Sequence, residues 1–394
     1  MTAKNLPFER SEYDMRLDRV RNSMAEKFMD TLIVSDPSNM SWLTGYDGWS
    51  FYVHQCVILS MDGNPLCFVR SQDANGAYRT VWMSDDDVHG YDEKLVQNLP
   101  LHPMQELVDV LNDRGLAAGR IGVEMDNYWY SAQAHVELVN GLTEATLVDA
   151  TGLVNWQRAI KSEQEIHYMK IAGQIVTKMH HRILERIEPG LPKNEIVAEI
   201  YHAGCTGIDG HGGDYPAIVP LAASGVDASA AHLTWNDQPF KSDEGTSFEI
   251  AGCHKRYHCP TARTIFLGSP PQRFLDVEKA VVEGINAGLE KAKPGNQCQD
   301  IANTFCSILE KRTGIKKQSR CGYPIGISYP PDWGERTMSL RPGDQTLLQP
   351  GMTFHFIPAV WRDDWGMEIT ESFVVTENGA ETLSDVPREL FIKK

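Results

Sequence analysis

The stretch Gly245–Gly268, GTSFEIAGCHKRYHCPTARTIFLG, decides how this chain is read. It predicts two strands joined by a short polar turn, closing on Ala-Arg-Thr-Ile-Phe-Leu-Gly. Glu249 stands in the first strand and Pro260 in the second. A carboxylate on a pocket-facing strand is costly unless something positive or a metal pairs with it. Glu249 is therefore either a working group (nucleophile, general base or partner of a cationic substrate) or half of a salt bridge to Arg263 or another arginine. Cys253, His254, His258 and Cys259 fall on the turn without the spacing of a Cys2His2 finger, so no zinc site is predicted there.

Outward from this hairpin the chain falls into two parts, 1–158 and 159–394. In the first, Arg10–Lys27 and Met104–Asn112 have helical periodicity, while 31–35, 120–125 and 146–150 read as short buried strands. Segments 54–60 and 65–70 predict a hairpin across Met61-Asp62-Gly63-Asn64. Such mixing indicates an α/β domain. The second part opens with Ser162 and Glu165 in a capping-box spacing. Helices are predicted over 163–187, 193–204, 272–292 and 297–313, around strand pairs at 245–268 and 350–376. Pro-Gly pairs at 189–190, 294–295 and 350–351 mark turns. Helices on one face of an antiparallel sheet make an α+β domain.

Composition narrows the function classes. The 42% hydrophobic and 23% charged residues are those of a water-soluble globular protein. A formal charge of −16 opposes nucleic-acid binding, which needs clustered Lys and Arg. Eight scattered cysteines without framework spacing predict reduced thiols. The start, MTAKNLPFERSEYDMRL, lacks an apolar signal core, and no run approaches the roughly 18 apolar residues of a spanning helix. A cytoplasmic protein with no membrane partner is expected.

The hairpin, together with Asn39-Met40-Ser41-Trp42-Leu43-Thr44-Gly45-Tyr46, Gly322-Tyr323-Pro324-Ile325-Gly326, PGMTFHFIP (350–358) and GMEITESFVV (366–375), resembles the creatinase/prolidase/methionine-aminopeptidase family. The resemblance spans nearly the whole chain and implies a creatinase-like α/β N-terminal domain plus an α+β pita-bread C-terminal domain. Metal-dependent members bind two ions through Asp, Asp, His, Glu and Glu. The matching positions here hold Glu249, Pro260, Tyr323, Ile357 and Thr370. Proline and isoleucine have no side-chain donor atom, so no metal is expected, and no other cofactor either.

By the same resemblance His232 is the acid/base imidazole, as a His there shuttles protons beside the substrate. His211 is a weaker candidate for a second one. Tyr323, Trp361 and His355 are expected to form an aromatic wall suited to a flat cation, or else to fill the space left by the metals. Arg263 is expected to anchor Glu249 or meet a substrate carboxylate, and Glu371 to bond a ring N–H. Tyr52 and His54 lie in a loop that closes the partner's site in creatinase-like dimers, so a homodimer is expected. Metal-free hydrolysis of a small cationic substrate, a cyclic amidine, follows, with an acetylated product that implies a partner deacetylase. A metal-dependent prolidase and a non-catalytic binding descendant remain as alternatives.

Overall fold

A computed structural model describes residues 6–394. The chain divides after Gln157 into two compact units. In the N-terminal unit the helix Arg10–Glu26 buries Tyr13, Leu17, Val20 and Met24, a single stripe at three- and four-residue spacing. Among the described residues its strands form a mixed sheet in the order 88–91, 66–70, 56–60, 31–34, 119–123, 145–149. The expected hairpin forms, with Cys56–Ser60 antiparallel to Leu66–Arg70. The helix Pro37–Thr44, like Ala74–Thr80 and Ala132–Gly141, has no counterpart in the sequence reading. All eight residues of Pro37–Thr44 are buried, so no amphipathic period marks it. Its ends carry the signal instead: Asp36 caps the Ser38 N–H, Pro37 takes the first turn, and Gly45 closes it at φ +82°.

The C-terminal unit starts with the helix Glu163–Arg186. Ser162 and Glu165 form the reciprocal cap, Ser162 N–H donating to Glu165 Oε2 at 2.8 Å. This helix lies directly on the hairpin: a Cβ on Gly252 would stand 2.0 Å from the Ala172 carbonyl oxygen, so only glycine permits the approach. The hairpin strands are Glu244–His254 and Tyr257–Leu267, paired over their full length. Lys255 and Arg256 make the turn at φ +50° and +66°, a conformation that usually selects Asn-Gly.

The hairpin sheet has the order 391–393, 257–267, 244–254, 221–224, and a second sheet the order 322–324, 353–356, 371–376, 379–382. Pro260 sits inside a strand without breaking it. The Ala262 N–H points away from the partner strand, to Thr370, and Pro260, two residues earlier, shares that orientation. Its missing donor therefore removes no bond of the hairpin ladder. The helices Gln272–Lys291 and Cys298–Thr313 cover the second sheet, burying Val281, Ile285, Ile301 and Phe305 with Phe354 and Phe356. Gly190, Gly295 and Gly351 all adopt φ between +86° and +90°, which makes the three Pro-Gly pairs sharp turns. No helix among the described residues is long and apolar enough to cross a membrane.

Candidate active site

Strand period fixes the site. Glu249 stands opposite Ala262, and Ala262 exchanges bonds with Thr370, its N–H donating to Thr370 Oγ1 at 2.7 Å. Two residues on, Ser247 stands opposite Thr264, whose hydroxyl accepts from the Glu368 N–H at 2.8 Å. Glu249, Ala262, Thr370 and Glu368 thus occupy two adjacent rows of one face. The adjoining sheet supplies the wall, where Tyr323 and His355 are direct cross-strand partners. His355 Nδ1 lies 3.3 Å from the Tyr323 hydroxyl and 3.9 Å from Glu249 Oε1. On its other side His355 Nε2 meets Thr370 Oγ1 at 2.8 Å. The Trp333 indole N–H donates to the Tyr323 oxygen at 2.7 Å. Trp361 donates from its indole to Glu368 Oε1 at 3.0 Å, and the Lys317 ammonium sits 4.5 Å from the Trp361 ring centre. A cavity of about 290 Å³ opens beside Trp361 and Lys317, and neither Glu249, Glu368, Tyr323 nor His355 lines it.

Electrostatics follow from burial. Glu249 is buried and accepts no hydrogen bond from the described residues; desolvation, then the charge of Glu368, raises its carboxyl well above the ordinary range. Glu368 is raised to about 7 by burial, which its bond to Trp361 and the Lys317 charge only partly offset. Burial, with Arg263 and Arg320 adding to it, holds His355 near 3, so its imidazole is neutral at pH 7. Burial, then the nearby Glu249, pushes the Tyr323 phenol up, so it keeps its proton.

Two expected substrate contacts are committed elsewhere. Arg263 is fully buried and uses all five N–H donors, on the carbonyls of Ala262, Thr370, Val386 and Pro387 and on Glu371 Oε1 at 2.6 Å. Glu371 also pairs with Arg388 at 3.3 Å. The pair clamps the C-terminal segment to the hairpin, and Arg263 has no donor left for a ligand or for Glu249. His232 is exposed on the loop before the hairpin, where the described residues give it no hydrogen bond. His211 packs edge-on against His254, at 5.4 Å between ring centres. Tyr52, in the N-terminal unit, is 61% exposed and accepts from Arg70 at 3.2 Å.

The five positions that hold metal in relatives of this fold do not fit a metal pair here. Glu249 is their one carboxylate, Pro260 and Ile357 offer no donor, and the Thr370 hydroxyl is engaged between Ala262 and His355. Residues 167–377 nevertheless match the profile of metallopeptidase family M24, and residues 16–160 that of the creatinase/prolidase N-terminal domain.

The chain belongs to family M24.

Its likeness to ectoine hydrolase of Halomonas elongata is 57% identity over the whole of both chains. An uncharacterised hydrolase/peptidase of Sinorhizobium fredii is 38% identical over 98% of this chain and 99% of its own. The crystal structure of a prolidase from Thermococcus sibiricus superposes with a TM-score of 0.83 over 96% of this chain and 99% of that one, at 18% identity. The M24 architecture, a creatinase-type N-terminal domain followed by a pita-bread domain, is thus retained. Three residues at this site escaped the sequence reading. Glu368 was legible, because it lies two residues before Thr370 and strand period puts both on one face. Trp333 and Lys317 arrive from irregular segments and carry no such signal.

Proposed function

We propose that this M24 member hydrolyses the cyclic amidine ectoine to N-acetyl-2,4-diaminobutyrate, without a metal. The observation that carries the reading is the 57% identity to ectoine hydrolase over the full length of both chains. The buried acid Glu249, beside aromatic rings and in no ion pair with an arginine among the described residues, supports it chemically. Ectoine carries a flat amidinium whose central carbon is open to attack. Glu249 attacks that carbon, or activates the water that does, and a ring nitrogen leaves with a proton. Water adds across one C–N bond, so the product keeps the acetyl carbons and gains a free amine. Tyr323 and Trp361 stack on the ring. A deacetylase is the enzyme such a product calls for next. A second copy of the chain supplying Tyr52 to the site is part of the same reading.

Two imidazoles compete for the proton-transfer role. His232 is favoured by its motif position, and His355 by standing 3.9 Å from Glu249. Comparing kcat for His232→Ala and His355→Ala separates them, since the true acid/base costs about a hundredfold or more. Incubation of chelator-treated protein with ectoine, followed by NMR, tests the reaction. The acetyl resonance of acetyl-diaminobutyrate should grow at an undiminished rate, and absence of product or a requirement for added metal overturns the reading.

A further inference from the structure

Glu368 sits in a lopsided environment. Its Oε1 accepts from the Trp361 indole, while its Oε2, equally sealed from solvent, has no hydrogen-bond partner. The nearest cation does not repair this: Lys317 donates to the Ala359 carbonyl at 2.8 Å and rests on the Trp361 ring. Glu249, in the neighbouring row of the same face, likewise accepts no hydrogen bond. Glu368 Oε2 is therefore unmet in a sealed space, and beside it Glu249, its side chain 10% exposed, has no hydrogen bond from the described residues. Unmet carboxyl oxygens are costly to bury, and two such acids side by side repel when both ionise.

The geometry points to Glu368, oriented by Trp361, as a second substrate-binding carboxylate that with Glu249 brackets a small planar cation of the amidinium or guanidinium type. Such a cation presents N–H donors on both sides of a delocalised carbon. One edge pairs with Glu368 Oε2, and the central carbon is left facing Glu249. In the unliganded protein the acid pair retains one proton. The titratable or charged groups around it include Lys317 beside Glu368, and on the Glu249 side His355, Tyr323 and Arg320, with Asp332 behind Tyr323 and Arg263 behind His355. His355 and Tyr323 are uncharged at neutral pH, and Lys317 and Arg320 are spent on aromatic faces. An entering cation replaces the proton, which leaves to solvent, and Glu249 becomes ionised as the substrate arrives. The inference rests on the reading of Glu249 as the attacking group and adds the substrate class that activates it.

The test is calorimetric titration with acetamidinium at pH 7, in two buffers of different ionisation enthalpy, so that proton release is read with affinity. Wild-type protein should bind and release close to one proton, about the share held by a carboxyl pair. Glu368→Gln, which keeps an acceptor for Trp361, should weaken binding by roughly tenfold to a hundredfold and reduce the release, because Glu249 then loses its charged neighbour but keeps its burial. It should also raise the KM for ectoine more than it lowers kcat. Trp361→Phe should move affinity and release in the same direction by less, and carries the test if Glu368→Gln does not fold. Unchanged affinity and proton release in these variants, or no acetamidinium binding by wild type, overturns the inference. If wild type binds acetamidinium with proton release but leaves ectoine intact, the cation site stands and the proposed reaction falls. If Glu368→Gln turns ectoine over with wild-type KM, the reaction stands and the role of Glu368 falls.

Discussion

Two buried acids, one in each unit, have similar burial and opposite surroundings. Glu124 in the N-terminal unit accepts four bonds, from the backbone of Ser35 and Asp36 at 2.7 and 2.8 Å and from the Asn39 and Asn127 amides at 2.6 and 3.2 Å. It ties the strand end at Ser35 to the helix Pro37–Thr44, and Asn39 passes the network on to Asn155. Glu249 in the C-terminal unit accepts none. Burial raises both carboxyls, Glu124 to about 7. What differs is whether the fold completes the hydrogen bonding itself. A satisfied buried acid is a fastening; an unsatisfied one stores free energy that a ligand can recover.

One isosteric change, Glu to Gln, breaks the two sites differently. Glu249→Gln should lower kcat for ectoine by about a thousandfold or more, with the unfolding midpoint unchanged or raised. Retained turnover in that variant removes Glu249 from the mechanism. Glu124→Gln should do the reverse. Its amide N–H₂ opposes donors, so equilibrium denaturation should show a loss of about 3 kcal/mol while kcat persists in the protein that stays folded.

The unpaired acids also predict a pH signature. Glu368 has a folded-state value of about 7, above the ordinary 4.5, so the folded protein holds its proton more tightly than the unfolded chain. Its contribution to stability is full below pH 4.5 and is lost as pH rises through about 7. Glu368→Gln removes that loss. Denaturant midpoints for variant and wild type should agree at pH 4.5 and separate at pH 8, with the variant more stable by on the order of 2 kcal/mol. The acid limb of kcat/KM should move to lower pH in the same variant, because Glu249 then ionises without a charged neighbour. The smallest effect belongs to the exposed Tyr52. Tyr52→Phe should change stability by less than about 0.5 kcal/mol, so a fall in turnover measured alongside would place its hydroxyl at a site in the assembled enzyme.

Legibility followed the range of the interaction. The Ser162 cap, the Pro-Gly turns, the long helices and the hairpin strands are local, set by spacing over a few residues, and all were readable. The helix Pro37–Thr44 was hidden because complete burial erases periodicity, and the Lys255-Arg256 turn because its residues do not advertise positive φ. At the site, Glu249, Tyr323 and His355 are named by motif position and lie together, whereas Arg263, expected to anchor Glu249 or meet a substrate carboxylate, is a saturated clamp. Motif position reports where a side chain begins, and only packing reports which of its donors are already used.

The sequence by itself determined the two-part scaffold and its hairpin, and that Pro260 and Ile357 bring no side-chain donor atom in any conformation. Only the tertiary structure decided which acid is satisfied and which is not. Glu124, Glu249, Glu368 and Glu371 are the same residue type, and their partners lie from 3 to 108 positions away along the chain. Hydrogen bonding at such distances depends on which strands become neighbours, and that is fixed by the packing of the whole unit.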